Sequence, residues 1–214
     1  MQAIDGIFYV VILIMSVVVH EVSHGYAAYL LGDNTAKESG RLTLNPLKHL
    51  DMFGSIILPL LLILSKASFV MGWAKPVPYN PSNLRNGRKG TFIVAIAGIL
   101  ANLFLAIVFG LLIRLALHFG MPLFQGDNTT ITPFYHVALI IVLVNLVLAI
   151  FNLIPIPPLD GSKILFSFLP AHLRNIENFL ERWGIFLLLF FIIFLWGKIS
   201  PIIFYLSSHL TGLQ

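Results

Sequence analysis

Five consecutive residues near the start of the chain, His20-Glu21-Val22-Ser23-His24, have the spacing of a metal-binding helix. Residues four apart lie on one face of an α-helix, so the imidazoles of His20 and His24 can share one metal ion. The carboxylate of Glu21 then lies beside that ion, where it can take a proton from water. These residue types at this spacing predict metal-dependent hydrolysis.

The histidine pair lies within an apolar stretch, Ile4 to Leu31, that is long enough to cross a membrane. Ionisable side chains inside a bilayer are costly unless they are paired, bound to metal or exposed to water. We therefore expect a metal site, and the alternative is a structural cluster of polar side chains.

A catalytic zinc ion usually takes three protein ligands. The chain has no cysteine, so the third ligand must be His, Asp or Glu, and the best candidate is Asp160. The prolines at 155, 157 and 158 prevent a regular helix before it and predict a bend that can point its carboxylate into the helix bundle. The alternative is a surface Asp at a simple helix end. His49 and Asp51 are weaker competitors for the ligand role.

The composition predicts an all-α polytopic membrane protein, because 58% of the 214 residues are hydrophobic and 10% are charged. We expect residues 1–214 to form a single domain with about four transmembrane helices. The predicted spans are Ile4 to Leu31, Thr91 to Leu117, Tyr135 to Leu153 and Trp183 to Leu206. A short amphipathic helix is predicted over Pro170 to Trp183.

A further apolar stretch, Met52 to Met71, is interrupted by Pro59 and Lys66. His24 and Asp160 can meet at one depth only if the first and third predicted spans run in the same direction. The second span supplies the single crossing that this requires. We therefore predict that Met52 to Met71 leaves and returns on one side, as a re-entrant or broken segment.

Basic residues predict the orientation in the membrane. Lys and Arg are frequent between residues 32 and 90, recur between 159 and 182, and are absent from 118–134. The positive-inside rule places the basic regions in the cytosol, with both metal-ligand regions near the cytosolic face of the cell membrane. The charge of +4 therefore reflects orientation, and we expect no nucleic-acid partner.

These motifs resemble those of the site-2 protease family of intramembrane zinc metalloproteases. The resemblance is carried by the run from His20 to Gly25 in one membrane helix and by the run from Asn152 to Gly161, which reads Asn-Leu-Ile-Pro-Ile-Pro-Pro-Leu-Asp-Gly. A third element of the family, Gly-Pro-x-x-Asn, is similar to the run from Gly98 to Asn102, although Ile99 stands in place of the proline.

The resemblance implies that zinc is the cofactor, bound by His20, His24 and Asp160, with Glu21 as catalytic base. It also implies that Asn152 and Asn102 bind the substrate or stabilise the oxyanion. For Asn102, the alternative is a hydrogen bond that joins packed helices. The expected substrates are transmembrane proteins in the lipid bilayer, cleaved within or next to their helices.

The chain looks like a compact bacterial member of that family, without a PDZ or regulatory domain. Residues Gly72 to Pro78 resemble a loop of such members and are either a gate or substrate-edge element or a plain connection. Two other functions stay open. One is a metal transporter or sensor, although no internal repeat is evident. The other is a family member that has lost activity, although Glu21 and all three ligands are present.

Overall fold

The fold is described from a computed structural model, which covers residues 2–57, 61, 64, 65, 74–125 and 130–213. Its α-helices are α1 (Gln2–Leu30), α2 (Thr35–Glu38), α3 (Arg88–His118), α4 (Pro133–Asn152), α5 (Asp160–Phe168), α6 (Arg174–Phe194) and α7 (Trp196–Thr211). Short 3-10 turns cover Pro46–Lys48, Pro81–Asn83 and Ala171–Leu173, and a π-helical turn covers Met52–Ile57. Two antiparallel strands of two residues, β1 (Phe124–Gln125) and β2 (Thr130–Ile131), precede α4.

Three helices are long and apolar enough to cross a membrane: Phe8–Leu30 within α1, the whole of α3 and the whole of α4. Large apolar side chains cover their outer surfaces, among them Val10, Phe104 and Leu111, each more than half exposed. Such a surface is unfavourable in water and favourable against lipid chains. The chain is therefore an all-α, multi-pass membrane protein, as its composition predicts.

Helix α3 is the centre of the bundle and packs against α1, α4, α5 and α7. His24 of α1 contacts Val94 near the start of α3, and Ser16 contacts Asn102 further along it, so α1 and α3 are antiparallel. Asn145 of α4 contacts Ser16, and Asp160 contacts His24, so α4 runs in the same direction as α1. This is the arrangement that the metal ligands require.

The main core lies where α3, α4 and α7 meet. Ala106 and Ala138 are almost fully buried there, and these small side chains let the helix backbones approach closely. Tyr135 is also fully buried, and its hydroxyl donates a hydrogen bond of 2.8 Å to the carbonyl of Met121. The phenol therefore has its polar group satisfied, as a buried tyrosine needs.

The predicted fourth span, Trp183 to Leu206, is wrong as a single helix. The structure contains two helices there, α6 and α7, which bend by 67° at a break after Phe194. Gly197 and Pro201 lie just past the break; glycine weakens a helix, and Pro201 has no backbone N–H to donate. Together α6 and α7 account for at most one further span, for a total of three or four.

The predicted amphipathic helix over Pro170 to Trp183 is also not a separate element. The 3-10 turn Ala171–Leu173 leads directly into α6, which continues to Phe194. The polar residues that suggest a surface helix occupy the first turns of this longer helix.

The prediction for Met52 to Met71 falls partly outside the described residues, since 58–60, 62–63 and 66–73 are not described. The flanking residues nevertheless meet. The backbone N–H of Lys75 donates to the carbonyl of His49 at 2.8 Å. His49 and Lys75 therefore lie side by side. The re-entrant or broken path between them stays a prediction, because much of it lies outside the described residues.

Candidate metal centre and active site

The three predicted metal ligands meet at one point. Nε2 of His20 lies 3.0 Å and Nε2 of His24 lies 2.9 Å from Oδ2 of Asp160, and the two nitrogens are 3.0 Å apart. All three side chains are buried. Within the described part of the chain, they form the one group of His, Asp or Glu side chains that could share a metal ion.

The hydrogen bonds behind the two rings determine which nitrogen carries the proton. Nδ1 of His20 lies 2.6 Å from Oδ1 of Asn102, and Nδ1 of His24 lies 2.7 Å from the carbonyl of Val94. Both partners are acceptors, so in each neutral ring Nδ1 carries the hydrogen and Nε2 keeps its lone pair. When both rings are neutral, two lone pairs and a carboxylate oxygen therefore face one another, and a cation among them stabilises this arrangement.

Asn102 is itself oriented by a chain of buried hydrogen bonds. Its Nδ2 donates to Oδ1 of Asn145 at 2.7 Å and to the carbonyl of Ser16 at 3.3 Å. Nδ2 of Asn145 donates in turn to the hydroxyl of Ser16 and to the carbonyl of Ile141. Because Asn102 and Asn145 are fully buried, these partners fix both amides, and they fix the His20 ring through them.

Gly98 leaves the room that the two imidazoles need. A Cβ atom at this position would lie 2.6 Å from Nε2 of His24 and 2.7 Å from Cε1 of His20. Such distances are well inside van der Waals contact, so a side chain here would displace the rings. Packing against the two imidazoles therefore explains why position 98 is a glycine, whether or not a proline follows it.

Glu21 adjoins the centre and contacts residues 74–80, hereafter the 74–80 segment. The backbone N–H of Val77 donates to Oε2 of Glu21 at 2.8 Å. Val77 is buried, and its side chain packs where a Cβ on Gly25 would lie. The carboxylate that is the candidate base is thus held at one oxygen by the backbone of the 74–80 segment.

Asp33 fastens the far end of the 74–80 segment. This fully buried carboxylate accepts hydrogen bonds from the backbone N–H of Asn80 at 2.7 Å, from Nδ2 of Asn83 at 3.0 Å and from the hydroxyl of Thr35 at 2.6 Å. Burial opposes ionisation of Asp33, but the hydrogen bonds outweigh it and hold the pKa of this carboxyl below its ordinary value. The segment beside Glu21 is therefore anchored by a charged group.

Lys163 contacts the other oxygen of Asp160. Its Nζ lies 3.0 Å from Oδ1 of Asp160 and 5.7 Å from the centre of the Tyr79 ring. Burial would lower the pKa of Lys163, but the carboxylate of Asp160 raises it above its ordinary value, so the ammonium is charged at neutral pH. Lys163 also interacts electrostatically with Glu21.

The two asparagines singled out from sequence have different positions. Asn102 lies behind His20, with both polar atoms of its amide engaged in buried hydrogen bonds. This favours the alternative of a hydrogen bond between helices, and contact with a substrate stays a prediction. Asn152, the last residue of α4, donates through Nδ2 to the carbonyl of Leu148 at 3.0 Å. Its substrate role also stays a prediction.

Sequence reasoning misses Asn145, Ser16, Lys163 and Val77. A signal exists for Asn145, since it is the one polar residue between positions 137 and 151. Val77 contacts Glu21 through its backbone N–H, which almost every residue type has, so the sequence does not mark this position.

The donor set fits zinc. Two imidazole nitrogens and one carboxylate oxygen are zinc ligands found in catalytic sites, and both rings have their other nitrogen hydrogen-bonded, as zinc-binding histidines almost always do.

Comparison with known proteins identifies the family. A family model for peptidase family M50 matches residues 116–195. YwhC of Bacillus subtilis (strain 168), named as a candidate zinc metalloprotease, is 42% identical over 195 residues, which cover 91% of this chain and 81% of that protein. The chain belongs to peptidase family M50. Rip2 of Mycolicibacterium smegmatis, also named as a candidate zinc metalloprotease, is 31% identical over 181 residues, 84% of this chain and 64% of that protein. No solved structure matches.

Membership in M50 confirms the resemblance to the site-2 proteases and makes this chain a zinc metalloprotease of the membrane. Zinc is accordingly the cofactor, in agreement with the donor set. The relatives lend no support to the alternative of a metal transporter.

Proposed function

We propose that this M50 member is an intramembrane endopeptidase that hydrolyses peptide bonds within or next to the transmembrane helices of other membrane proteins. The observation that carries the proposal is that Nε2 of His20, Nε2 of His24 and Oδ2 of Asp160 all lie within 3.0 Å of one another, with Glu21 next to His20 in the sequence. In this proposal the first three residues hold zinc, Glu21 is the catalytic base, and residues 1–214 act as one domain.

Zinc held by these residues would polarise the scissile carbonyl and make water more acidic. Glu21 takes the proton from water and delivers it to the leaving amine. The N–H of Val77 supports this role because it stabilises the ionised carboxylate and fixes one of its two oxygens. The hydrogen bonds from Nδ1 of both histidines hold the rings in the orientation that binding requires.

The substrate must present a carbonyl that a membrane helix normally engages in its own hydrogen bonds. We propose that it unwinds locally, and that Asn152 binds the unwound strand or stabilises the oxyanion. Asn152 is suited to this because it ends α4 and is only partly buried, on the chain path that leads to Asp160.

We further propose that the centre lies near the cytosolic face of the cytoplasmic membrane. The support is the distribution of charge. The first residues of α3, Arg88 and Lys89, are basic, and the same end of α3 contacts His24. At the other end of α3, residues 118–134 contain no Lys or Arg.

The test is cleavage in liposomes that contain the zinc-loaded protein and a single-span substrate. Mass spectrometry of the fragments identifies the bond that is cut. We expect cleavage within or next to the span, abolished by Glu21→Gln and by His24→Ala. Glu38→Gln is the matched control, because Glu38 is exposed on α2, and it should cleave as the wild type does.

A second substrate, a soluble peptide that carries only the membrane-flanking sequence, separates intramembrane cleavage from ordinary proteolysis. Comparable cleavage of the soluble peptide, with no cut in or beside the span, would show a metalloprotease that acts outside the membrane.

A further inference from the structure

The two oxygens of Asp160 have different partners. Oδ2 faces Nε2 of His20 and of His24, at 3.0 and 2.9 Å. Oδ1 accepts a hydrogen bond from Nζ of Lys163 at 3.0 Å. Both residues lie in the first turn of α5, three positions apart, so the helix itself brings the ammonium to the carboxylate.

Lys163 has a second partner that fixes its direction. Its ammonium lies 5.7 Å from the centre of the Tyr79 ring, within the range of a cation–π interaction. Tyr79 belongs to the 74–80 segment, which Asp33 and Glu21 anchor on either side of it along the chain. Lys163 is thus held between a ring and a carboxylate oxygen.

We propose that Lys163 is a positioning residue that keeps Oδ1 of Asp160 engaged, so that this carboxylate ligates zinc through Oδ2 alone. The inference rests on the proposed metal-binding role of Asp160. A carboxylate can bind a metal through one oxygen or two. With Oδ1 occupied, three protein ligands leave the remaining side of the ion for water and the scissile carbonyl. The ammonium also offsets part of the carboxylate charge, which keeps the centre a stronger Lewis acid.

Loss of the ammonium has an unusual expected signature. In Lys163→Met, the freed Oδ1 can also bind the metal, and a nearby positive charge is gone. We therefore expect zinc to bind at least as tightly as in the wild type, while kcat falls about 10-fold or more with little change in KM. A residue with a merely structural role would weaken zinc binding on removal.

Cobalt(II) substitution provides a readout that does not depend on activity. Four-coordinate cobalt absorbs visible light more strongly than five-coordinate cobalt, so the spectrum of Lys163→Met should weaken and that of Lys163→Arg should match the wild type. Lys163→Leu is a second way to remove the charge and should repeat the change seen in Lys163→Met. Lys37→Met is the matched control, because Lys37 is exposed and, like Lys163, lies over a tyrosine ring, that of Tyr29, at 4.7 Å.

The outcomes separate two failures. A wild-type spectrum in both neutral variants, or zinc binding weakened in both, would overturn the role of Lys163 while leaving the metal site intact. Failure of the wild-type protein to bind cobalt or zinc would overturn the proposed function itself and this inference with it.

Discussion

Nδ1 of His20 lies 2.6 Å from Oδ1 of Asn102, and this contact joins a metal-ligand candidate on α1 to the middle of α3. The amide oxygen can only accept, so it fixes the hydrogen of the ring on Nδ1 and leaves Nε2 for the metal. The orientation of the ligand is therefore set by a helix other than its own.

Removal of that acceptor should weaken metal binding. We expect Asn102→Leu to lose about 10–100-fold in zinc affinity, the usual effect of losing a partner of a metal-binding histidine. Competition with a chromogenic chelator measures it. Asn102→Asp keeps an acceptor of the same shape and should bind zinc more tightly than Asn102→Leu does; equal affinity of Asn102→Leu and the wild type would contradict the assignment.

Asn145 should act through Asn102. Asn145→Leu removes the acceptor at 2.7 Å from Nδ2 of Asn102, so it should also weaken zinc binding. In the double variant, the loss of zinc affinity should be smaller than the sum of the losses in the two single variants, because both substitutions break the same chain of hydrogen bonds. Additive losses in a double-mutant cycle would show that the two asparagines act independently.

The backbone N–H of Val77 gives a prediction for the base. Val77→Pro removes this donor from Glu21, whereas Val77→Ala keeps it. A hydrogen bond to a charged group contributes on the order of 1.5–3 kcal/mol, so we expect kcat of Val77→Pro to fall about 10-fold or more relative to Val77→Ala. Zinc content should be the same in both variants. Equal rates for the two would exclude a role for Val77 in holding the base.

Gly98 should tolerate no side chain. In Gly98→Ala the new Cβ would lie 2.6 Å from Nε2 of His24, so the ligands must shift. A displacement of about 1 Å can cost about 100-fold in activity, and we expect a loss of that order, together with weaker zinc binding. Gly197→Ala is the control, since a Cβ there meets no atom within 4 Å. Normal activity in Gly98→Ala would mean that the rings do not need this space.

Asp33 predicts a pH dependence of stability. The pKa of the Asp33 carboxyl is lower in the folded protein than in the unfolded chain, where it is about 3.9. The ionised carboxylate therefore stabilises the fold above about pH 3.9, and this stabilisation is lost as the pH falls through the pKa of the folded protein. Asp33→Asn should lower the free energy of unfolding by about 1–3 kcal/mol at neutral pH. Thermal unfolding in detergent should show this gap between the two proteins at pH 7 and a shrinking gap below about pH 4. A gap that does not change with pH would exclude the charge as its cause.

The metal-ligand candidates can be predicted from the sequence more readily than the residues that position them. His20, His24 and Asp160 can be found from sequence because a shared metal ion is the simplest way to accommodate these residue types beside apolar segments. For these ligands to meet, α1 and α4 must run in the same direction, with one crossing between them, and the structure has this arrangement. The prolines between 152 and 160 also end α4 where the sequence indicates.

The supporting contacts depend on tertiary packing that a single sequence does not specify. Val77 contacts Glu21 through a backbone N–H, and Lys163 reaches Asp160 from a helix whose start depends on the bend before it. The break after Phe194 escapes sequence reasoning for a similar reason: a run of apolar residues from Trp183 onwards has the length of a straight span, and hydropathy does not register the bend.

The most direct measurement of the central claim is zinc content and peptide hydrolysis on the same preparation of wild-type protein and of Glu21→Gln. We predict one zinc per chain in both proteins, with hydrolysis of a single-span substrate by the wild type alone. Hydrolysis by Glu21→Gln at the wild-type rate, or zinc bound equally by a variant in which His20, His24 and Asp160 are all replaced by alanine, would contradict the claim.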